Sequence, residues 1–272
     1  AEWTKETYTL VFADTNDAGD EITKVVTFGE TIAAPTGLTK TGHVFAGWDV
    51  TPPTKIGDMG ANGAEIVYTA QWAKKTYVFN FTNTGDTTIA PITVTYGETF
   101  TAPTGLTKTG YNHVGWDPAV PATITDMGAT GTEFTYAAQW EAKVIDVTFD
   151  ANTGAFADGA ATAVVPTEFD GAIVAPSVSK EGYAFVGWST DADATVGTTD
   201  LGTLTTETPA TYYAIWSADS KNYTVEFWYM NVDGTDYVKA DDETLTFAGV
   251  VDAPVSTYVP GDVTGFTVNE EL

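Results

Sequence analysis

The feature that most constrains this chain is that its sequence repeats. A Gly-Trp pair occurs at Gly47, Gly115 and Gly187, with spacings of 68 and 72 residues, and another tryptophan follows each pair. The six tryptophans that mark the repeats are Trp48, Trp72, Trp116, Trp140, Trp188 and Trp216. Self-similarity at this period predicts a row of small domains that contact mainly their neighbours.

These marks divide the chain into repeats at residues 6–73, 74–141 and 142–217, with a partial fourth repeat at 218–272. The fourth repeat has opening strands but no Gly-Trp pair and no closing tryptophan. Residues 1–5 resemble the closing segment of a repeat, because Ala1-Glu2-Trp3 matches Ala70-Gln71-Trp72. We therefore interpret residues 1–5 as the tail of a preceding repeat.

Within each repeat, apolar and polar residues first alternate with period two, as at Tyr8, Leu10 and Phe12, which predicts a half-buried strand. A turn and a second strand follow, and that strand ends in an aromatic residue, which is Phe28, Tyr96, Phe169 or Phe247 in the four repeats. The next segment contains Pro35 and Gly37, so at most a short helix fits there. Four strands and a short helix predict a β-rich α+β fold, a small β-grasp-like domain.

The composition excludes several classes of partner. The net charge is −26 and all 11 basic residues are lysines, so the surface would repel DNA and anionic lipid. We expect no nucleic-acid partner. The chain has no cysteine, which excludes disulfides and thiolate metal sites. It also has no apolar run of the length that a spanning helix needs, so we expect no membrane insertion.

The opening hairpin, the motif P-x-x-x-x-x-G-[YH]-x-x-x-G-W and the closing Y-x-A-x-W together resemble the Listeria–Bacteroides repeat family, typified by the internalin B repeat. The resemblance covers the three full repeats and half of the fourth. It implies β-grasp-like domains in tandem on secreted or wall-anchored proteins, hence an extracellular or cell-surface location. His43 departs from the family pattern, in which an aromatic residue is usual.

The six marker tryptophans could form a carbohydrate-binding platform, but their recurrence in phase with apolar strand residues favours a role in the structural core. Trp228 and Tyr229 have no counterpart in the other repeats. They are our candidates for an exposed binding site. His43 and His113 occupy different positions in their repeats, so we interpret them as replacements of aromatic residues and not as a catalytic pair.

Acidic loops offer a candidate calcium site, because calcium takes six or more oxygen ligands. The best segment carries Asp14, Asn16, Asp17 and Asp20, although Ala18 stands where a third ligand of an EF-hand loop would be. The segment is interpreted first as a hairpin turn, with calcium as the alternative. We expect no other cofactor.

The sequence contains no phosphate-binding loop, no His-Glu metal motif and no nucleophile elbow. An active site is normally one set of residues in a single pocket, whereas the features that recur in this chain are those of the apparent core of each repeat. We therefore expect a stalk or spacer in an adhesin-like protein, and no enzyme. The alternative is a binding module for host protein, mucin or glycan through variable loops. A third possibility is a subunit of a self-assembling fibre. The partners expected first are adjacent repeats.

Overall fold

The computed structural model describes residues 1–240 and 244–254. The chain divides into two compact units, Ala1–Glu141 and Ala142–Leu272. The first unit contains the first two repeats and the second unit contains the remainder.

The first repeat is a four-stranded mixed sheet. Its strands are β1 (Thr7–Ala13), β2 (Ile22–Thr27), β3 (His43–Trp48) and β4 (Glu65–Lys74), in the order β2-β1-β4-β3. Strands β1 and β4 are parallel, whereas the two outer pairs are antiparallel. The period-two pattern of β1 buries Tyr8, Leu10 and Phe12 in one cluster.

The second repeat has the same topology. Its strands are β5 (Thr76–Thr82), β6 (Ile92–Thr95), β7 (Tyr111–Asp117) and β8 (Glu133–Ala142), in the order β6-β5-β8-β7. Tyr77, Phe79 and Phe81 of β5 fill its core, together with Ile124 and Tyr136.

The third repeat adds a small extra sheet. Its main strands are β9 (Val144–Asp150), β11 (Thr162–Glu168), β13 (Tyr183–Ser189) and β14 (Tyr212–Ala218), in the order β11-β9-β14-β13. The extra pair is β10 (Ala155–Phe156) with β12 (Val178–Ser179). Its core contains Phe149, Phe156 and Trp188.

The described part of the fourth repeat forms two antiparallel pairs. One joins β15 (Ser220–Val225) to β18 (Leu245–Val250), and the other joins β16 (Trp228–Met230) to β17 (Tyr237–Lys239). The chain is therefore a tandem array with three four-stranded mixed sheets.

The expected short helix, and with it the α+β class, is wrong for the described residues, which contain no helix. The segment after β2 instead lies extended against the segment before β4. Ile32 N donates to Thr54 O at 3.0 Å, and Ile56 N donates to Glu30 O at 2.8 Å. The same pairing joins Phe100 to Ala122 and Ile173 to Gly202. These inter-segment bonds use the backbone groups that a helix would need, so the fold is all-β.

The Gly-Trp pair marks a bulge in the third strand of the repeat. The pairing register shifts between Phe45 and Gly47, where Gly47 has φ +122°. The same shift occurs between Phe185 and Gly187. A glycine is required because this backbone conformation is strained for residues with a side chain. After the bulge the tryptophan faces the core, where Trp48 lies 5.0 Å from Phe12 between ring centroids.

Candidate functional site

The turn after β1 is closed by its own side chains. Lys40 Nζ lies 2.9 Å from Asp14 Oδ1, and Asn16 Nδ2 donates to Asp20 Oδ2 at 2.8 Å. Asp17 accepts hydrogen bonds from the Thr41 hydroxyl at 2.6 Å and the Thr41 amide at 2.8 Å, and these bonds lower the pKa of Asp17. The predicted calcium ligands are thus all engaged within the protein.

Across residues 1–240 and 244–254, no group of three or more histidine or acidic side chains is placed to hold a metal ion. The calcium site therefore stays a prediction. The contacts of Asp14, Asn16, Asp17 and Asp20 agree with the hairpin-turn interpretation.

Of the six marker tryptophans, Trp188 is buried, with 3% of its surface exposed, and the other five are partly buried. Trp48, Trp116 and Trp216 pack against the buried hydrophobic clusters of their repeats. The closing tryptophans also connect two parts of each repeat. The indole N–H of Trp72 donates to Asp14 O at 2.9 Å, and Trp140 and Trp216 donate to Asn83 O and Ala151 O. This bond fixes the closing strand to the turn after the first strand.

An aromatic triad recurs beside the bulge. Phe45 lies 5.3 Å from Trp48 and 5.6 Å from Trp72, and Phe185 makes the same two contacts in the third repeat. His113 takes this place in the second repeat, 5.2 Å from Trp116 and 5.4 Å from Trp140. Its Nε2 atom is buried and has no hydrogen-bond partner. His113 thus replaces a phenylalanine at a cost in polar desolvation.

The first and second repeats meet at a joint that the sequence analysis missed. Gly42 precedes β3, and its amide donates to Asp126 Oδ2 of the second repeat at 2.9 Å. Its carbonyl accepts from Lys75 N at 2.9 Å, and the Lys75 ammonium lies 2.8 Å from Asp126 Oδ1. We call Gly42 and its equivalents in other repeats the glycine corner.

A side chain cannot be placed at this corner. A Cβ atom on Gly42 would lie 2.3 Å from the ring of Tyr96, and Gly42 has φ +68°. The His43 ring also contacts the Tyr96 ring, in an edge arrangement with centroids 5.5 Å apart. The second strand's closing aromatic residue is therefore the platform on which the preceding repeat sits.

Asp126 is the electrostatic centre of the joint. Lys75 first, and then the Gly42 amide, hold the pKa of Asp126 well below its ordinary value. The Tyr77 hydroxyl and the Gly128 amide also donate to Asp126 Oδ1, at 3.2 and 3.3 Å. The same ion pair raises the pKa of Lys75.

The second unit contains an equivalent joint between the third and fourth repeats. Asp219 N donates to Gly182 O at 2.9 Å, as Lys75 N does to Gly42 O, and Gly182 has φ +76°. The platform is Val251, whose amide donates to Asp219 O. The Tyr183 hydroxyl donates to Asp252 Oδ2 at 2.5 Å. The sequence predicted that Phe247 ends the second strand of this repeat. Phe247 lies within β18, which continues to Val250, and its ring stacks on Tyr223.

The candidate binding residues Trp228 and Tyr229 lie on the β16–β17 hairpin. Trp228 is 54% exposed, and Met230 on the same face of the hairpin and Val238 on the opposite face are also exposed. The ion pair between Lys239 and Glu226, 2.6 Å apart, closes the base of the hairpin and lowers the pKa of Glu226. Met230 and Val238 were missed because single apolar residues in a short strand carry no distinguishing pattern.

The longer loop of the third repeat is ordered against its sheet. Thr198 exchanges two backbone hydrogen bonds with Trp188, at 2.8 and 3.0 Å. Gly197 and Gly187 approach so closely that a Cβ on either would lie 2.6 Å from the other's backbone. Ile215, the strand partner of Gly187, is 2% exposed, whereas the equivalent Gln71 and Gln139 of the first two repeats are exposed.

Comparison with known proteins places these repeats in a family. The sequence profile of the Listeria-Bacteroides repeat domain matches residues 8–52, 77–134 and 146–215. Two proteins of Evansella cellulosilytica are each 26% identical to the chain. One is named as a putative membrane protein, and its alignment covers 94% of this chain and 37% of the relative's length. The other is named as a putative Gly-rich membrane protein, and its alignment covers 84% of this chain and 26% of the relative's length.

The chain spans about a third of the first relative and about a quarter of the second. None of the described residues lies in a helix with the length and hydropathy needed to cross a membrane. Three profile matches cover most of the chain, and each lies within one of the three full repeats. The chain belongs to the Listeria–Bacteroides repeat family, whose tandem repeats are typical of surface proteins.

Proposed function

We propose that this chain is an extracellular spacer in a cell-surface protein, in which repeats joined end to end hold another part of the protein away from the surface. The observation that carries this proposal is the joint at Gly42. A hydrogen-bonded ion pair and a ring platform occupy the boundary between two repeats that only a few residues connect. Such contacts favour a fixed angle over free tumbling.

The surface chemistry supports an exterior location. A net charge of −26 keeps a crowded, exposed protein soluble, and the absence of cysteine leaves no thiol for oxidants to cross-link. We propose no enzymatic activity. The polar groups of the turns and of the Gly42 joint bind one another, so they stabilise each repeat and the contact between neighbouring repeats.

Small-angle X-ray scattering of the purified chain tests the spacer role. A single compact globule of 272 residues would have a radius of gyration of about 18 Å by the usual scaling. We expect a value well above this, with a pair-distance distribution that has a long tail. The Gly42→Asn variant should broaden the distribution because it breaks one joint. A radius near the globular value would contradict the spacer role.

A second function is favoured by the exposed β16–β17 hairpin. Trp228 and Met230 present apolar surface on one face of the hairpin, which suits stacking against a sugar ring or a host protein. The chain and its Trp228→Ala variant would be compared on immobilised mucin and glycans at near-physiological salt. Binding that Trp228→Ala abolishes supports a binding module. Equal signals from both proteins count against this hairpin as the site.

A further inference from the structure

The first repeat carries the same platform that receives a glycine corner in the second repeat. Phe28 N donates to Glu6 O at 2.9 Å and Gly29 N donates to Ile56 O at 2.8 Å. In the second repeat, Tyr96 and Gly97 make the same bonds to Lys75 and Ile124. We call Glu6, Tyr8, Phe28 and Asp58 the docking face. Its backbone is already in the conformation that the occupied platform has.

The two platforms differ in what covers them. Tyr96 is partly buried because Gly42 and His43 lie on its ring, whereas Phe28 is 45% exposed. Asp58 holds the position of Asp126, and its Oδ1 accepts from Gly60 N at 3.0 Å, as Asp126 does from Gly128. The Asp58 side chain is exposed. The docking face thus offers an apolar platform and a carboxylate, the two groups that hold Gly42 elsewhere.

We propose that the docking face is an interaction site for the glycine corner of another repeat of this family, supplied ahead of Thr7. The occupant is defined by its chemistry: a glycine with positive φ, whose amide reaches Asp58, followed by an aromatic or imidazole ring that packs on Phe28. The described residues show this backbone pattern at Gly42 and at Gly182. This inference rests on the geometry of the joints and would hold even if the spacer role failed.

One substitution makes the docking face weaker than its relative. Glu6 stands where Lys75 stands in the second repeat, and it accepts the Tyr8 hydroxyl at 2.6 Å. An incoming corner therefore meets the carboxylates of Glu6 and Asp58, and no lysine holds the position of Lys75, so the ion pair of the Asp126 joint has no counterpart. Glu6→Lys should restore it and strengthen docking.

Trp3 provides a way to follow the added repeat separately from docking. It is 93% exposed, whereas the closing tryptophans donate their indole N–H to a backbone carbonyl. Ala1 and Trp3 match Ala70 and Trp72 in sequence. A copy of residues 6–69 fused ahead of Ala1 would therefore use residues 1–5 as its closing segment, and it leaves all 272 residues in place.

The experiment compares the chain with this fusion by NMR. The Trp3 indole resonance reports whether the added repeat folds, and the Phe28 ring, assigned through Phe28→Tyr, reports docking. With a paramagnetic agent in solution, we expect relaxation of the Phe28 ring to fall several-fold in the fusion. Glu6→Lys should lower it further.

Two matched substitutions in the added copy serve as controls. Gly42→Asn should return Phe28 to its exposed state, because asparagine tolerates positive φ but its Cβ meets the ring. Gly37→Asn should have no effect, because Gly37 also has positive φ and nothing lies within 4 Å of a Cβ there. A second fusion, with a copy of residues 74–137, presents the Gly110 corner instead. If Phe28 stays as exposed in both fusions as in the chain itself, the proposal is wrong.

Discussion

Gly42 is the residue on which the joint of the first unit depends most directly. It combines a positive φ with a ring that leaves no room for a Cβ atom, whereas Gly37 has the same φ sign and open space. These two glycines separate the effect of backbone conformation from that of packing. That distinction cannot be made from sequence, because both belong to the shared segment PTGLTKTG.

We predict that Gly42→Asn lowers the free energy of unfolding of the first unit by about 1–3 kcal/mol, the usual cost of forcing atoms into a packed contact. Gly37→Asn should change it by less than about 0.5 kcal/mol. Urea unfolding followed by tryptophan fluorescence measures both values. Equal effects of the two substitutions would mean that the ring contact contributes nothing.

Asp126 gives the joint a dependence on pH. Its pKa is lowered in the folded protein by Lys75 and Gly42, so the unfolded chain binds a proton more readily than the folded chain. The stability that Asp126 adds is therefore complete above its unfolded pKa of about 3.9 and declines as the pH falls below it. We expect the melting temperatures of the chain and of Asp126→Asn to differ at pH 7 and to converge toward pH 2. A constant difference across that range would contradict this assignment.

His113 carries a polar atom in a place built for a phenylalanine ring. Its Nε2 is buried without a partner, whereas Phe45 and Phe185 fill the same place in the other repeats. We predict that His113→Phe raises the free energy of unfolding of the first unit by about 1 kcal/mol, because an unsatisfied polar group is removed. Phe185→His in the third repeat is the reciprocal test and should be destabilising. If His113→Phe destabilises the first unit, the imidazole has a contact that the triad does not explain.

At the scale of the element, the strands were predictable because their pattern is local. Alternation at Tyr8, Leu10 and Phe12 records which face of β1 is buried, and the structure places all three in one cluster. The crossover after β2 was not predictable. Its extended course depends on hydrogen bonds to residues 54–56, and no local signal reveals that the two segments pair.

Some features of the candidate sites were predictable from local sequence and others were not. The turn at Asp14 could be recognised from its residues, and its ion pair with Lys40 is observed. The joint could not, because Gly42 and Asp126 are 84 residues apart in the sequence. One signal was nevertheless present, since a glycine follows Lys-Thr in both of the first two repeats, at Gly42 and Gly110. For Gly42 the reason lies in the second repeat, whose Asp126 and Tyr96 it contacts, and not in its own repeat.

The ordered loop of the third repeat lies against Gly187, the strand partner of Ile215, and we expect it to cover the Ile215 side chain. We predict that Ile215→Gln lowers the free energy of unfolding of the second unit by about 2–4 kcal/mol, since it buries an amide and removes apolar contacts. Gln71→Ile in the first repeat should have little effect, because that position is exposed. Chemical unfolding of both variants tests the cover. Rapid proteolysis of the loop in the unmodified chain would also contradict it.

At the scale of the whole molecule, the division into two compact units implies that damage to one unit leaves the other folded. Substitution of Trp188 should destabilise its unit more than substitution of any other marker tryptophan. Trp188 is the buried member of the six, and its ring centroid lies 5.0 Å from that of Phe149. Trp116 in the first unit is only partly buried, so its removal should cost less.

We predict that Trp188→Ala costs the second unit about 3–5 kcal/mol, which approaches the whole stability of a small domain. In calorimetry, the transition of the second unit should move to a lower temperature by well over 5 °C, whereas that of the first unit stays in place. Trp116→Ala should do the reverse with a smaller shift. Limited proteolysis identifies which unit has opened, because the cleavage sites fall within it. If either substitution moves all transitions together, the two units unfold as one cooperative structure and are not independent of each other.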